Sequence, residues 1–218
     1  MENKQAVLCD FDGTITKVDV INDFLSKFAD ESWYELEMLW NEGKIGSREL
    51  LKKQFALVRG MDEKTLYNYL QSVELDEYFV DFYEKACAAG ISVAVVSDGF
   101  DLFIKNVLKN HGLGEIEVFT NSLKFENGEF YPSFPNAHGD CGINAGTCKC
   151  EILNRFKKRY DTVYYVGDGV SDYCVCKNAD VLFAKKALSQ YCIKRNINFV
   201  PYSDFNEVIN YDSLGLNI

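Results

Sequence analysis

Residues 7–16 read VLCDFDGTIT. A run of small and apolar residues, Ala6 to Cys9, enters two carboxylates two positions apart, Asp10 and Asp12, and Gly13-Thr14 then breaks the pattern. A short unbroken apolar run is the mark of a strand buried on both faces, which in turn belongs to a parallel sheet covered by helices. VAVVSDG at 93–99 and TVYYVGDG at 162–169 repeat the shape, each closing on polar residues and a glycine. VLFA at 181–184 and INFVPY at 197–202 supply further strands, and helical patterns at 100–110, 148–159, 170–177 and 187–195 fall between them. Strand and helix in alternation predict an α/β fold built on a doubly wound, mostly parallel sheet.

The first two strands are separated by about eighty residues, far more than a strand-to-helix loop needs. Their periodicity is helical, with helices expected near 19–29, 31–43, 47–58 and 62–72, and a core helix near 76–89 stopped by Gly90. Asp30 and Ser47 are plausible N-caps. The insertion reads as a small α-helical cap domain over 16–75, set into a core made of 1–15 and 76–218. SLKFENGEFYPSF at 122–134 reads as a β-hairpin around Asn127-Gly128, and 135–147 as an irregular loop.

Composition narrows the function. The 218 residues are 47% hydrophobic and 14% aromatic, enough for one full core and a small accessory domain. A formal net charge of −10 disfavours a nucleic-acid backbone or an anionic membrane surface as partner. The densest basic cluster, Lys157, Lys158 and Arg159, reads as the solvated end of a helix. No apolar run reaches the length of a membrane span, and MENKQ opens into a strand with no signal-peptide core, so a cytoplasmic protein is expected. Its eight cysteines are then expected as free thiols. His138, Cys141, Cys148 and Cys150 raise the question of zinc, but their spacing lacks the paired knuckles of structural sites.

In an open parallel sheet, ligands bind at the carboxyl ends of the strands. Those ends carry Asp10 and Asp12, then Ser97, Asp98 and Gly99, then Asp168 and Asp172. Carboxylates gathered there repel one another unless a cation neutralises them, and oxygen-only ligation suits Mg²⁺. A metal beside a free carboxylate implies phosphoryl transfer. One Asp of the first pair can attack phosphorus, and the other can protonate the leaving oxygen. Lys149, near the start of a helix, can balance the nucleophile's charge. Each residue also has a plainer use. Asp10 and Asp12 suit a turn, Ser97 and Asp98 suit a helix N-cap, and Lys149 suits a solvated helix face.

Together these stretches resemble the haloacid dehalogenase superfamily of phosphatases. DxDxT matches Asp10-Phe11-Asp12-Gly13-Thr14, the Ser after a strand matches Ser97 in VVSDGF, the motif Lys matches Lys149, and GDxxxD matches Gly167 to Asp172. The resemblance implies a Rossmann-like core, with Asp10 as nucleophile and Asp12 as acid and base. It further implies phosphate contacts from Ser97, Asp98, Gly99 and Lys149, and Mg²⁺ held by Asp10, Asp12 through its backbone carbonyl, and Asp168, with Asp172 in support. The substrate is then a small-molecule phosphate ester.

Within the superfamily, phosphoserine phosphatases hold the substrate amine with a Glu nine positions after the nucleophile and its carboxylate with a cap Arg. This chain has Asp19 and, by a gap-free match, Lys53 at those places; Asp19 also suits an N-cap and Lys53 plain surface charge. CDFDGTIT, the Pro-Asn-Ala of FPNAHGDC, Cys148-Lys149 and NINFVPYSDF are similar to the methionine-salvage phosphatases, although Cys150 stands where those tend to have Pro. A receiver-like regulator also carries phosphate on an Asp beside a Ser or Thr and a Lys; the helical insertion and Asp12 favour turnover instead.

Overall fold

A computed structural model describes residues 4–139, 141 and 144–216. Part of the loop expected over 135–147, residues 140, 142 and 143, therefore lies outside the described residues. The apolar run that opens the chain forms β1, Gln5–Cys9. Its side chains alternate between faces as strand geometry requires. Ala6 and Leu8 join one hydrophobic cluster, and Val7 and Cys9 the other. All four are fully buried because helices cover both faces.

β1 pairs in parallel with β2, Ser92–Phe100, on one side and with the strand Thr162–Gly167 on the other, so that Cys9 lies level with Val95 and Val166. The order across the sheet is β4-β3-β2-β1-β5-β6-β7, where β3 is Glu117–Glu126, β4 Glu129–Ser133, β5 Thr162–Gly167, β6 Val181–Ala184 and β7 Val200–Pro201. Among the described strands of this sheet, the β3–β4 pair alone is antiparallel. Asn127 and Gly128 join it with φ of 52° and 82°, the conformation an Asn-Gly hairpin demands.

The hairpin expected at 122–134 is part of something longer. The first half of β3 runs parallel to β2 and widens the main sheet, which its mixed, partly exposed side chains did not announce. The helix expected at 170–177 shrinks to one 3₁₀ turn, Val170–Asp172. Asp172 turns its carboxylate back to the Asp168 and Gly169 N–H groups, each at 3.1 Å, and this local bond competes with helix propagation.

Between β1 and β2 lie α1 Val20–Phe28, α2 Trp33–Asn41, α3 Ser47–Phe55, α4 Glu63–Ser72 and α5 Phe79–Ala88. An isolated antiparallel bridge from Thr16 to Leu75 ties the two ends of the insertion together. Asp19 and Asp62 cap α1 and α4 through the backbone N–H groups of Asn22 and Thr65. The two expected caps are displaced. Ser47 is the first residue inside α3, behind Gly46. Asp30 instead closes a turn onto the backbone N–H and hydroxyl of Ser32, at 3.0 and 2.6 Å.

The remaining helices, α6 Asp101–Asn110, α7 Lys149–Lys157, α8 Lys186–Arg195 and α9 Phe205–Ile209, complete the two covering layers. The inserted helices share one hydrophobic cluster with the α5, α6 and α9 face of the sheet. Phe24 of α1 meets Phe103 of α6 edge-on at 4.8 Å, and Phe55 of α3 meets Phe100 of β2 edge-on at the same distance. Phe55 is fully buried among these rings. Replacing it by Ala is expected to cost about 3–5 kcal/mol in urea unfolding, because cavity and transfer terms add. A loss below about 1 kcal/mol would show that α3 packs independently of the sheet.

Candidate active site

The carboxyl ends of β1, β2 and β5 meet under the inserted helices and wall a cavity of about 300 Å³. Asp10, Asp12, Asp19, Ser97, Asp98, Gly99 and Asp168 all line it. Behind two of the lining residues, Asp10 and Ser171, lies a buried ammonium. Lys149, the first residue of α7, is 2% exposed and stands 2.9 Å from Asp10, 2.7 Å from Asp172 and 2.9 Å from the Ser171 hydroxyl. Burial lowers its pKa, but Asp10 and Asp172 outweigh that and raise it above the ordinary lysine range.

Asp10 continues β1 and is 4% exposed, with one oxygen accepting from the Phe11 N–H at 2.7 Å. Burial pushes its carboxyl well up, Asp172 adds to the rise, and Lys149 opposes both. Asp12 follows a bend, not a continued strand, so its side chain aims elsewhere. It accepts from the Val20 N–H at 3.0 Å and faces the Ser97 hydroxyl at 3.5 Å. Its carboxyl is pushed up to about 8 by burial and then by Asp19. A carboxyl raised in this way suits a proton donor to a leaving group.

Two glycines make room here. Gly13 has φ of +70°, and a Cβ on it would fall 2.5 Å from the Asp168 carboxylate. A Cβ on Gly99 would fall 2.9 Å from that of Asp12. The Ser97 hydroxyl accepts from the Gly99 N–H at 2.9 Å, which holds the end of β2 in place. Asp98 accepts from the Thr147 N–H at 2.8 Å and the Asn121 amide at 3.1 Å, clasping the segment that leads into α7.

Asp168 accepts from the Thr14 hydroxyl at 3.2 Å and pairs with Lys186 at 3.0 Å. Asp172 is fully buried and accepts from Lys149, the Tyr165 hydroxyl at 2.6 Å and two backbone N–H groups. Oxygens of Asp10, Asp168 and Asp172 lie within 4.8 Å of one another. Among the described residues no other group of three or more metal-ligating side chains comes together; His138, Cys141, Cys148 and Cys150 form none. Three buried carboxylates against two ammoniums, Lys149 and the half-exposed Lys186, still leave negative charge over, and an oxygen-only donor set with that surplus fits a hard divalent cation.

Not every expected residue reaches the cavity. Lys53 lies outside it, half exposed and paired with Glu49 one turn back at 2.6 Å. Helix rotation is the reason. Ser47, Leu50, Leu51 and Gln54 share the inward stripe of α3, and Lys53 lies off that stripe. Asp19 does stand at the rim, although its carboxylate is spent on capping α1. Sequence reading missed Lys186, which also donates to the Gly13 carbonyl at 2.9 Å. It follows β6 at another strand carboxyl end, the same signal that exposed the acids. Tyr165, hidden in a strand run, gave no signal of its own.

A parallel sheet that gathers buried aspartates at its strand ends around a lysine and beneath inserted helices defines a hydrolase class. The profile of haloacid dehalogenase-like hydrolases matches residues 7–177. Two 2-hydroxy-3-keto-5-methylthiopentenyl-1-phosphate phosphatases are close in sequence. That of an Exiguobacterium species is 31% identical over 97% of this chain and 98% of its own length, and that of Geobacillus kaustophilus 31% over 95% of each. Among solved structures, a phosphoserine phosphatase caught as a phospho-aspartyl intermediate analogue superposes with a TM-score of 0.74 at 22% identity, covering 96% of this chain and 99% of that one. The chain belongs to the haloacid dehalogenase-like hydrolase family, as a phosphatase of phosphoric monoesters.

Replacing Asp172 by Ala leaves the buried ammonium, the tyrosine hydroxyl and two N–H groups short of a partner. Urea unfolding is expected to show a loss of about 3–5 kcal/mol, against about 0.5 kcal/mol or less for Lys53→Ala.

Proposed function

We propose that this chain is a Mg²⁺-dependent phosphatase that works through an aspartyl-phosphate on Asp10, with 2-hydroxy-3-keto-5-methylthiopentenyl-1-phosphate as its substrate. The observation that carries this reading is the buried pairing of Lys149 with Asp10, a carboxylate that lines the cavity at the strand ends. The substrate is taken from full-length relatives that act on it.

In this reading Asp10 attacks phosphorus, and the bond to the leaving oxygen breaks. Asp12 gives that oxygen its proton, and in the second half it takes one from the water that releases phosphate. Ser97, the Gly99 N–H, Asp98 and Lys149 frame the phosphoryl group. Lys149 draws the Asp10 carboxyl down against the burial and the Asp172 charge that push it up, and so favours the ionised nucleophile. Mg²⁺ would be held by Asp10, the Asp12 carbonyl and Asp168, with Asp172 supporting; it would supply neutralisation of the phosphate's negative charge. Residues 16–75 act as the cap that keeps bulk water from the intermediate, and 1–15 with 76–218 as the catalytic core. Eight free cysteines support work in the reducing cytoplasm, and the net charge of −10 supports small molecules over nucleic acids as partners.

Purified protein is expected to turn over p-nitrophenyl phosphate steadily with Mg²⁺, to stop when the metal is chelated and to recover when it is restored. Asp10→Asn should abolish turnover, and Asp12→Asn should cut kcat by about 10²–10⁴-fold. A single phosphorylation of Asp10 without turnover would replace the enzyme by a receiver-like regulator. Among natural esters, kcat/KM is expected to be highest for the methionine-salvage enol phosphate; preference for phosphoserine would overturn the substrate.

A further inference from the structure

The cap wall of the cavity is unusual in its charge. On α3 the inward stripe is Ser47, Leu50, Leu51 and Gln54. The three basic residues of that helix all turn outward, Arg48 to the Asn144 side chain, Lys52 over the Phe134 ring at 5.6 Å and Lys53 to Glu49. Beside α3 on the same wall is Glu37 of α2, half-buried, with one carboxylate oxygen accepting from the Gln54 amide at 3.1 Å. Gln54 is itself 1% exposed and its amide also approaches the Trp33 carbonyl at 3.5 Å, so the pair is fixed in orientation.

Charge is not balanced at this end. Among the described residues that line the cavity, Lys186 is the single basic side chain, and it is engaged at the opposite end with Asp168 and the Gly13 carbonyl. Asp19 stands near enough to Glu37 to raise its carboxyl further, after burial has done most of that. A substrate carboxylate entering here finds no guanidinium or ammonium to replace its lost water. It meets acids instead, and an unpaired charge desolvated beside like charge is strongly rejected.

We infer that the organic half of the substrate carries no carboxylate, and that Glu37, oriented by Gln54, is the specificity residue that refuses one. The inference rests on the phosphatase reading and sharpens it. The site takes a phosphate ester of an uncharged or cationic alcohol, with its apolar part against Ile21, Leu50, Leu51 and Trp40.

Two pairs of esters isolate the carboxylate. Phosphoserine differs from phosphoethanolamine by that group alone, and butyl phosphate can be compared with its omega-carboxylate analogue. In the wild-type protein with Mg²⁺, the carboxylate member of each pair is expected to show kcat/KM lower by about tenfold or more, chiefly through KM. Glu37→Gln is expected to narrow both gaps at least about threefold, and Gln54→Arg, which brings a fork to the same wall, to narrow them further. Equal or better turnover of the carboxylate esters by the wild type would overturn the inference. Gaps that neither variant moves would overturn the assignment to Glu37. Failure to hydrolyse p-nitrophenyl phosphate would instead overturn the phosphatase reading itself.

Discussion

A lysine ammonium buried between two aspartates is the constraint on which the rest of this molecule depends. Lys149 has given up its water, so Asp10 and Asp172 must stay within reach of it. That requirement ties the end of β1, the start of α7 and the loop after β5 to a single point. Asp172 extends the constraint, because its second oxygen gathers the Asp168 and Gly169 N–H groups and so points Asp168 toward the cavity. A charge network of this kind is weak evidence for stability but strong evidence for a unique arrangement, since any rearrangement strands a charge in the interior.

The insertion matters for a different reason. Its rings do not merely fill a satellite core; Phe24 and Phe55 lock onto α6, β2 and β4, and so set the roof of the cavity over the strand ends. Hydrophobic packing thereby decides electrostatics. Because Leu51 and Phe55 must face the core, Arg48, Lys52 and Lys53 fall on the outer side of α3 and leave the site. The roof presents amide, carboxylate and aliphatic groups in their place.

At the catalytic end, the site resembles its solved neighbours in fold, and the proposed chemistry follows the paired carboxylates, the buried amine and the small cavity. Lys186 adds a feature of its own, held at φ of +46° at the start of α8, a conformation that costs a lysine energy and that its bonds to Asp168 and Gly13 compensate.

The sequence alone determined the parallel sheet, the helical insertion and the acidic strand ends. Those properties are local: period-two or unbroken apolar runs, helical periodicity and turn dipeptides are written within a few residues of where they act. It also made Asp10, Asp12, Ser97, Lys149 and Asp168 legible, because each closes an apolar strand run or opens a helix, and in order they match the motifs of one superfamily. What tertiary structure decided were the long-range facts. They include the pairing of β3's first half with β2, the collapse of the helix expected after Asp168, the company of Tyr165 and Lys186, and the rotation of α3 that puts Gln54 at the cavity and Lys53 outside it. A helix advances about 100° per residue, so a match in register can be one residue from the right face, and only the packing of Phe55 against the sheet chooses between them.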